Sequence, residues 1–147
     1  MNSDRILCTY RTLPYSTQAI YDAFASAAVL ASWWGPDGFT NSFEIFDFKV
    51  GGDWVFTMHG PDGNTYPNKS IFTDLVPAER IVIRHDCSPF FTLTVQLSGV
   101  AGGTHLTWEQ AFDDAETAQA VKARVGTANE QNLDRLTRAL GRTASAA

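Results

Sequence analysis

Hydrophobic and polar residues alternate along most of this chain, and the alternation stops at clusters of Gly, Pro, Asn and Ser. From Arg5 to Leu13, Ile6, Cys8 and Tyr10 alternate with Leu7, Thr9 and Arg11, a period of two that predicts a strand. Pro14 ends it, and Ser16 is placed to cap a helix. Ile20, Ala23 and Phe24 fall at i, i+3 and i+4 and predict a short helix with one apolar face. A second helical turn carries Val29 and Trp33 on one side, and Trp33-Trp34-Gly35-Pro36 breaks it. Six strands follow: Phe43 to Phe48, Asp53 to His59, Tyr66 to Val76, Arg80 to Cys87, Phe90 to Val100 and Thr104 to Phe112. Between them lie Gly51-Gly52, Pro61-Asp62-Gly63-Asn64, Pro77-Ala78-Glu79, Ser88-Pro89 and Gly102-Gly103. Such short connections make consecutive hairpins, so the sheet is expected to be antiparallel and mostly a meander.

The last element changes period. Val121, Val125, Ala128, Leu133, Leu136 and Leu140 follow a spacing close to 3.6 and predict one long helix, about Asp114 to Leu140. At 1.5 Å per residue it is about 40 Å long, enough to cross the sheet. Asp113 with Glu116 resembles a capping box, and Gly141 is placed to end the helix. Gly126 lies inside the helix at a cost of about 1 kcal/mol against Ala, which a bend or a close approach would explain. No repeat or linker interrupts the chain. The expectation is one α+β domain over residues 1–147, with its core at about 5–141: a curved antiparallel sheet of six to seven strands wrapped on a long C-terminal helix, with two short helices after the first strand.

That layout leaves space inside. A helix is about 10 Å across and a six- or seven-stranded sheet is several times wider. The helix cannot fill the concave face, so the sheet must curl around it and the two short helices must close one end. An apolar cavity is the expected result, with the glycine pairs at 51–52 and 102–103 as candidate bends.

Composition adds weight to this picture. Hydrophobic residues make up 44% and charged residues 18% of the 147, a globular rather than a disordered profile. Aromatic residues reach 12%, with ten Phe and four Trp, and such rings line cores and small-molecule pockets alike. The net charge of −5 and the lack of a basic stripe argue against nucleic acid. Arg135, Arg138 and Arg142 are read as complementing the dipole at the helix C-terminus. Met1 to Tyr10 lacks an apolar run, so no signal peptide is expected, and no segment is long and apolar enough for a membrane span. A cytoplasmic location is expected, with Cys8 and Cys87 as reduced thiols.

Candidate chemistry concentrates on the inward strand faces. Trp54, Phe56 and Met58 share one face of a strand, and with Phe72, Trp108 and Trp33 they are expected to wall the cavity, ordinary core packing being the alternative for each. Val125 and Asn129 complete the wall from the long helix. Asn68, Ser70, His85 and Gln110 place a few polar groups among the rings, which would orient a ligand. His85 is the one weak catalytic candidate, as a general acid or base, with Asn68 or Gln110 to orient it. His85 and Cys87, two apart on a strand, point the same way, but a zinc site needs more ligands and none has a recognisable spacing, so no metal is expected. No nucleophile elbow is present. The glycine pairs lie between strands rather than ahead of a helix, so no phosphate-bearing cofactor is expected either.

The blocks Trp33-Trp34-Gly35-Pro36, Gly38-Phe39-Thr40, Phe46-Asp47-Phe48, Gly51-Gly52-Asp53-Trp54, Met58-His59-Gly60-Pro61-Asp62-Gly63, Tyr66-Pro67-Asn68, Val76-Pro77 with Glu79-Arg80-Ile81, and Gly103-Thr104-His105-Leu106-Thr107 occur in an order that resembles one family. It is the family named after the C-terminal domain of the activator of the ninety-kilodalton heat-shock chaperone ATPase, within the START-like (SRPBCC), helix-grip superfamily of polyketide cyclases and pollen-allergen-type lipid binders. The resemblance runs from about Arg5 to Leu140. It implies the helix-grip fold and, as expectations, three functions: binding of a small hydrophobic molecule, cyclase- or hydrolase-type catalysis in the cavity, or contact with a chaperone. The eukaryotic activators carry a further domain ahead of this one, and its absence from this chain argues against ATPase stimulation. Ligand binding is the leading expectation.

Overall fold

The computed structural model describes residues 3–146. Met1, Asn2 and Ala147, the outermost positions of the expected domain, lie outside the described residues. After a 3-10 turn at Ser3–Arg5 come β1 (Ile6–Leu13), α1 (Thr17–Ala25), α2 (Ala27–Trp33), β2 (Thr40–Phe46), β3 (Asp53–His59) and β4 (Thr65–Val76). Then follow β5 (Arg80–His85), β6 (Phe91–Val100), β7 (Gly103–Phe112) and α3 (Ala115–Ala146). The strands form one seven-stranded antiparallel sheet in the order β1-β7-β6-β5-β4-β3-β2. Strands β2 to β7 are a plain meander, and β1 returns to pair with β7, Ile6 opposite Ala111 and Leu13 opposite Thr104. The α+β helix-grip architecture read from the pattern is the one observed.

Local chemistry sets the boundaries. Ser16 accepts a hydrogen bond from Ala19 N and Ser26 one from Val29 N, so each short helix begins on a serine cap. The connections at Gly51, Gly63 and Gly102 turn through positive φ (84°, 89° and 84°), where a side chain would be strained.

Four expectations need correction. The long helix is capped by Asp114, not Asp113: Asp114 Oδ2 accepts from Thr117 N at 2.8 Å. Asp113 is instead held by both guanidinium nitrogens of Arg84 at 2.7 Å. Gly141 does not end α3: it is not among the glycines with positive φ, and the helix continues to Ala146 with Arg142, Thr143 and Ala144 exposed. β2 begins three residues earlier than the apolar run implies. Thr40, Asn41 and Ser42 are polar, yet they pair with His59, Met58 and Thr57, as an edge strand can without a buried face. The irregularities of the sheet fall at Phe43/Ile45 and Phe72/Asp74 rather than at the glycine pairs, which serve the turns.

The core sits between the sheet and the second half of α3. Leu133, Leu136, Ala139 and Leu140 are buried against Ile20, Phe24, Leu30, Trp33, Trp54 and Trp108. At about 1.5–3 kcal/mol for each fully buried large apolar side chain, this contact fixes the helix. Earlier in α3, Ala118 packs with Leu7 and Phe112, and Val121 and Val125 are only half-buried beside them. α3 does not span the whole sheet. Its close backbone approaches are to β1, β7, α1 and α2. The inward face of β3, β4 and β5 therefore lacks a helix directly upon it. Among the described residues no helix is long and apolar enough to cross a membrane.

Candidate functional site: a cleft between the long helix and the sheet

Where α3 leans away from the middle strands, a cleft of about 740 Å³ remains. β3 contributes Phe56 and Met58, and β4 contributes Tyr66, Asn68 and Ser70. Ile83 and His85 come from β5, Phe91 and Leu93 from β6, and Gln110 from β7. On the helix side stand Arg124, Val125, Ala128 and Asn129, and Trp34, Pro36 and Phe39 close one end. On β3, β5 and β6 the lining residues alternate because strand side chains point to opposite faces in turn, while the exposed start of β4 adds Thr65 and Pro67 at the mouth.

Eight of the candidate residues from the sequence are brought together here: Phe56, Met58, Asn68, Ser70, His85, Gln110, Val125 and Asn129. Trp33, Trp54, Phe72 and Trp108 are not among the lining; each is at most 2% exposed in the packed core. Trp33 stacks edge-on against Phe24 and its Nε1 donates to the Ala23 carbonyl at 3.2 Å. Trp54 lies flat on Phe56, with ring centres 4.2 Å apart, and parallel to Phe72. Trp34 covers them. Its ring packs on Trp54 at 5.0 Å and on Trp108 at 5.6 Å and forms the boundary between core and cleft. The indole nitrogens of Trp54 and Trp108 have no hydrogen-bond partner among the described residues.

Trp34 is the main lining residue absent from the sequence-based set, together with Phe91 and Arg124. A signal existed for Trp34. It is the first residue after α2, where φ/ψ of −67°/131° takes the chain out of helical phase, so adjacent tryptophans face different ways. Arg135 holds this loop. Its guanidinium donates to the carbonyls of Ser32, Trp34, Gly35, Pro36 and Phe39. Asn132 Oδ1 accepts from Gly35 N at 3.2 Å. Arg135 is thus a loop clamp, not a dipole counter-charge as read from its position in the helix. A planar fork of five N–H donors suits such a ring of acceptors.

The polar groups of the cleft are already partly engaged. Asn129 Nδ2 donates to Gln110 Oε1 at 2.6 Å, and both residues are buried. The His85 ring lies on Phe91 at 4.5 Å, nearly parallel. Its Nδ1 is 2.7 Å from the Pro89 carbonyl and its Nε2 is 2.7 Å from Asn68 Oδ1. A carbonyl can only accept, so Nδ1 carries a proton in either charge state. Nε2 facing Oδ1 then suits the imidazolium. The neutral ring would be satisfied by the amide turned over, or by the Cys87 thiol 3.4 Å away. Burial pushes the His85 pKa below its usual value; the Pro89 and Cys87 backbone contacts oppose the shift without cancelling it. Cys87 is the residue expected to share a side with His85, and it does, but among the described residues no third His, Cys, Asp or Glu joins them as a ligand set.

Similarity to known proteins follows this geometry. The family model described as Activator of Hsp90 ATPase homolog 1-like protein matches residues 14–141. A crystal structure from Nitrosomonas europaea superimposes with a TM-score of 0.90 at 17% identity, covering 99% of each chain. One from Rhodobacter sphaeroides gives 0.85 at 24% identity, over 96% of this chain and 95% of that one. The solution structure of an AHSA1-like protein from Aeromonas hydrophila gives 0.76 at 18% identity, over 95% and 94%. At these identities the structural likeness establishes the fold alone. No curated protein matches the sequence.

Proposed function

The chain belongs to the family of Activator of Hsp90 ATPase homolog 1-like proteins, and on that premise we propose that it is a binding module that holds a small hydrophobic molecule between α3 and the sheet. The observation that carries this reading is the cleft itself, about 740 Å³ walled by Trp34, Phe39, Phe56, Met58, Phe91 and Leu93. Small-molecule sites are concave, roughly 300–1,000 Å³, mostly apolar, and set with a few polar groups that fix orientation. Asn68, His85, Gln110 and Asn129 are those groups.

The test is titration with the neutral dye N-phenyl-1-naphthylamine. Its fluorescence is expected to rise on binding. Ala128→Trp, which fills the cleft from the helix side, should weaken binding about tenfold or more while the melting temperature holds. A dye that ignores the protein, or binds both forms equally, would remove the reading.

His85 favours a second reading, acid–base catalysis on the bound molecule, because it places a titratable ring in the cleft. That reading requires a turnover lost in His85→Gln while ligand affinity persists. The chaperone-contact reading has less support. The large exposed apolar residues Tyr10, Ile45, Val50, Tyr66, Phe90 and Val100 are distributed over β1, β2, β4, β6 and the turns between strands, and scattered exposed apolar residues are the normal condition of a surface.

A further inference from the structure

We propose that the molecule held in the cleft is an amphiphile with one carboxylate head, and that Arg124 receives the head. The inference rests on the binding reading above and adds the charge of the ligand to it. The chain has 16 acidic residues against 11 Lys and Arg, a net charge of −5. Yet among the described residues no Asp or Glu lines the cleft, whereas Arg124 and the titratable His85 do. A cleft in an acidic protein that excludes carboxylates and retains a guanidinium has the electrostatics of an anion site.

Arg124 is also available. Arg11, Arg80, Arg84 and Arg138 form ion pairs with carboxylates, and Arg5 and Arg135 donate to backbone carbonyls. Among the described residues Arg124 has neither kind of partner. Its helical neighbours at three and four positions are Ala120, Val121, Thr127 and Ala128, none of them acidic, so no pairing along the helix competes for it. His85 and the turn of α3 that carries Arg124 belong to one end of the cleft. Val125, next to Arg124, and Phe91 pack on the same Leu7–Phe112–Ala118 cluster, and Phe91 stacks on His85. The remaining length of the cleft, toward Trp34 and Phe39, is aromatic. This polarity, cationic at one end and apolar at the other, matches a single-headed acid with a hydrocarbon or aryl body. Arg124 is exposed at the rim of the cleft, so a neutral hydrocarbon leaves it hydrated and gains nothing from it, whereas an anionic head gains an ion pair. A cation would meet the guanidinium with no carboxylate to offset it. A carboxylate accepts two N–H donors of a guanidinium side by side.

The experiment compares decanoate with decan-1-ol, which share a chain and differ in head charge, as displacers of N-phenyl-1-naphthylamine at low ionic strength. Decanoate is expected to displace the dye at about fivefold lower concentration, the scale of one partly exposed ion pair. Raising salt should shrink that advantage while leaving the alcohol unmoved. Arg124→Gln should bring the two ligands level, and Lys122→Gln, a neighbouring cation outside the cleft, should not. Equal displacement by acid and alcohol in the unmodified protein, or an acid preference that persists in Arg124→Gln or ignores salt, overturns the carboxylate assignment and leaves the binding reading standing. Failure of both ligands and the dye to bind overturns both.

Discussion

Arg135 Nη1 donates to the carbonyl of Trp34 at 3.3 Å, joining residues 101 positions apart, and the same side chain reaches four more carbonyls of the loop that carries Trp34. Burial lowers the pKa of this guanidinium, and the carbonyl dipoles take the place of the water it has lost. The wall of the cleft therefore depends on a residue that does not touch the cleft.

Removing that clamp should be felt twice. Arg135→Met is expected to lower stability by about 2 kcal/mol, because several carbonyls lose a charged donor at once. It should also shift the native tryptophan emission to longer wavelength as Trp34 loosens. Arg135→Lys, a point charge without the fork, should recover only part of either effect. Urea denaturation followed by fluorescence checks both; an unchanged midpoint would show that the loop holds itself.

His85 should make stability depend on pH. Its folded pKa lies below the ordinary value of 6.5 because burial disfavours the charged ring. Between the two values the unfolded chain holds more protons, so stability rises with pH there. The contribution is complete above about pH 6.5 and is lost as pH falls through the folded value. The urea midpoint of the unmodified protein should fall between pH 7 and 5 more steeply than that of His85→Gln. Parallel profiles would show that the ring titrates alike in both states.

Gly126 has open space around it. A Cβ built there meets no atom within 4 Å, and α3 passes through it unbroken from Ala115 to Ala146. Neither a bend nor a close approach explains the glycine. Gly126→Ala should therefore raise stability by about 1 kcal/mol, read as a higher thermal midpoint. A lower midpoint would mean that the residue serves something other than packing.

The Asn129–Gln110 pair should behave as a unit. Asn129→Ala leaves the Gln110 carbonyl oxygen without its donor and should cost about 1–3 kcal/mol. The double variant Asn129→Leu with Gln110→Leu should be less damaged than the sum of the singles, by about 1 kcal/mol in a double-mutant cycle. Strict additivity would show that the 2.6 Å contact contributes nothing of its own.

The sequence revealed which way side chains face better than how deep they lie. Alternation put Trp54, Phe56 and Met58 on one face, and the structure keeps them there. It could not separate Met58, in the cleft, from Trp54, in the core, because depth is decided by what lies overhead. Trp34 does that covering, and its orientation comes from the loop after α2, which has no period to read. The polar start of β2 was illegible for a related reason: pairing with β3 holds Thr40–Ser42, and pairing partners leave no hydrophobic signature. Asp113 and Asp114 are both plausible caps in sequence. Arg84, 29 positions away, claims Asp113 and leaves the cap to its neighbour.

The pairing of β1 with β7 sets a timetable for biosynthesis. A ribosome makes Ile6 about a hundred residues before its partner Ala111. At about 5–20 residues per second the first strand waits roughly 5–20 s for its only neighbour in the sheet. α3, which shields the apolar interior, is made later still. The nascent chain thus carries an unpaired strand edge until β7 has been made, and the sheet closes only then.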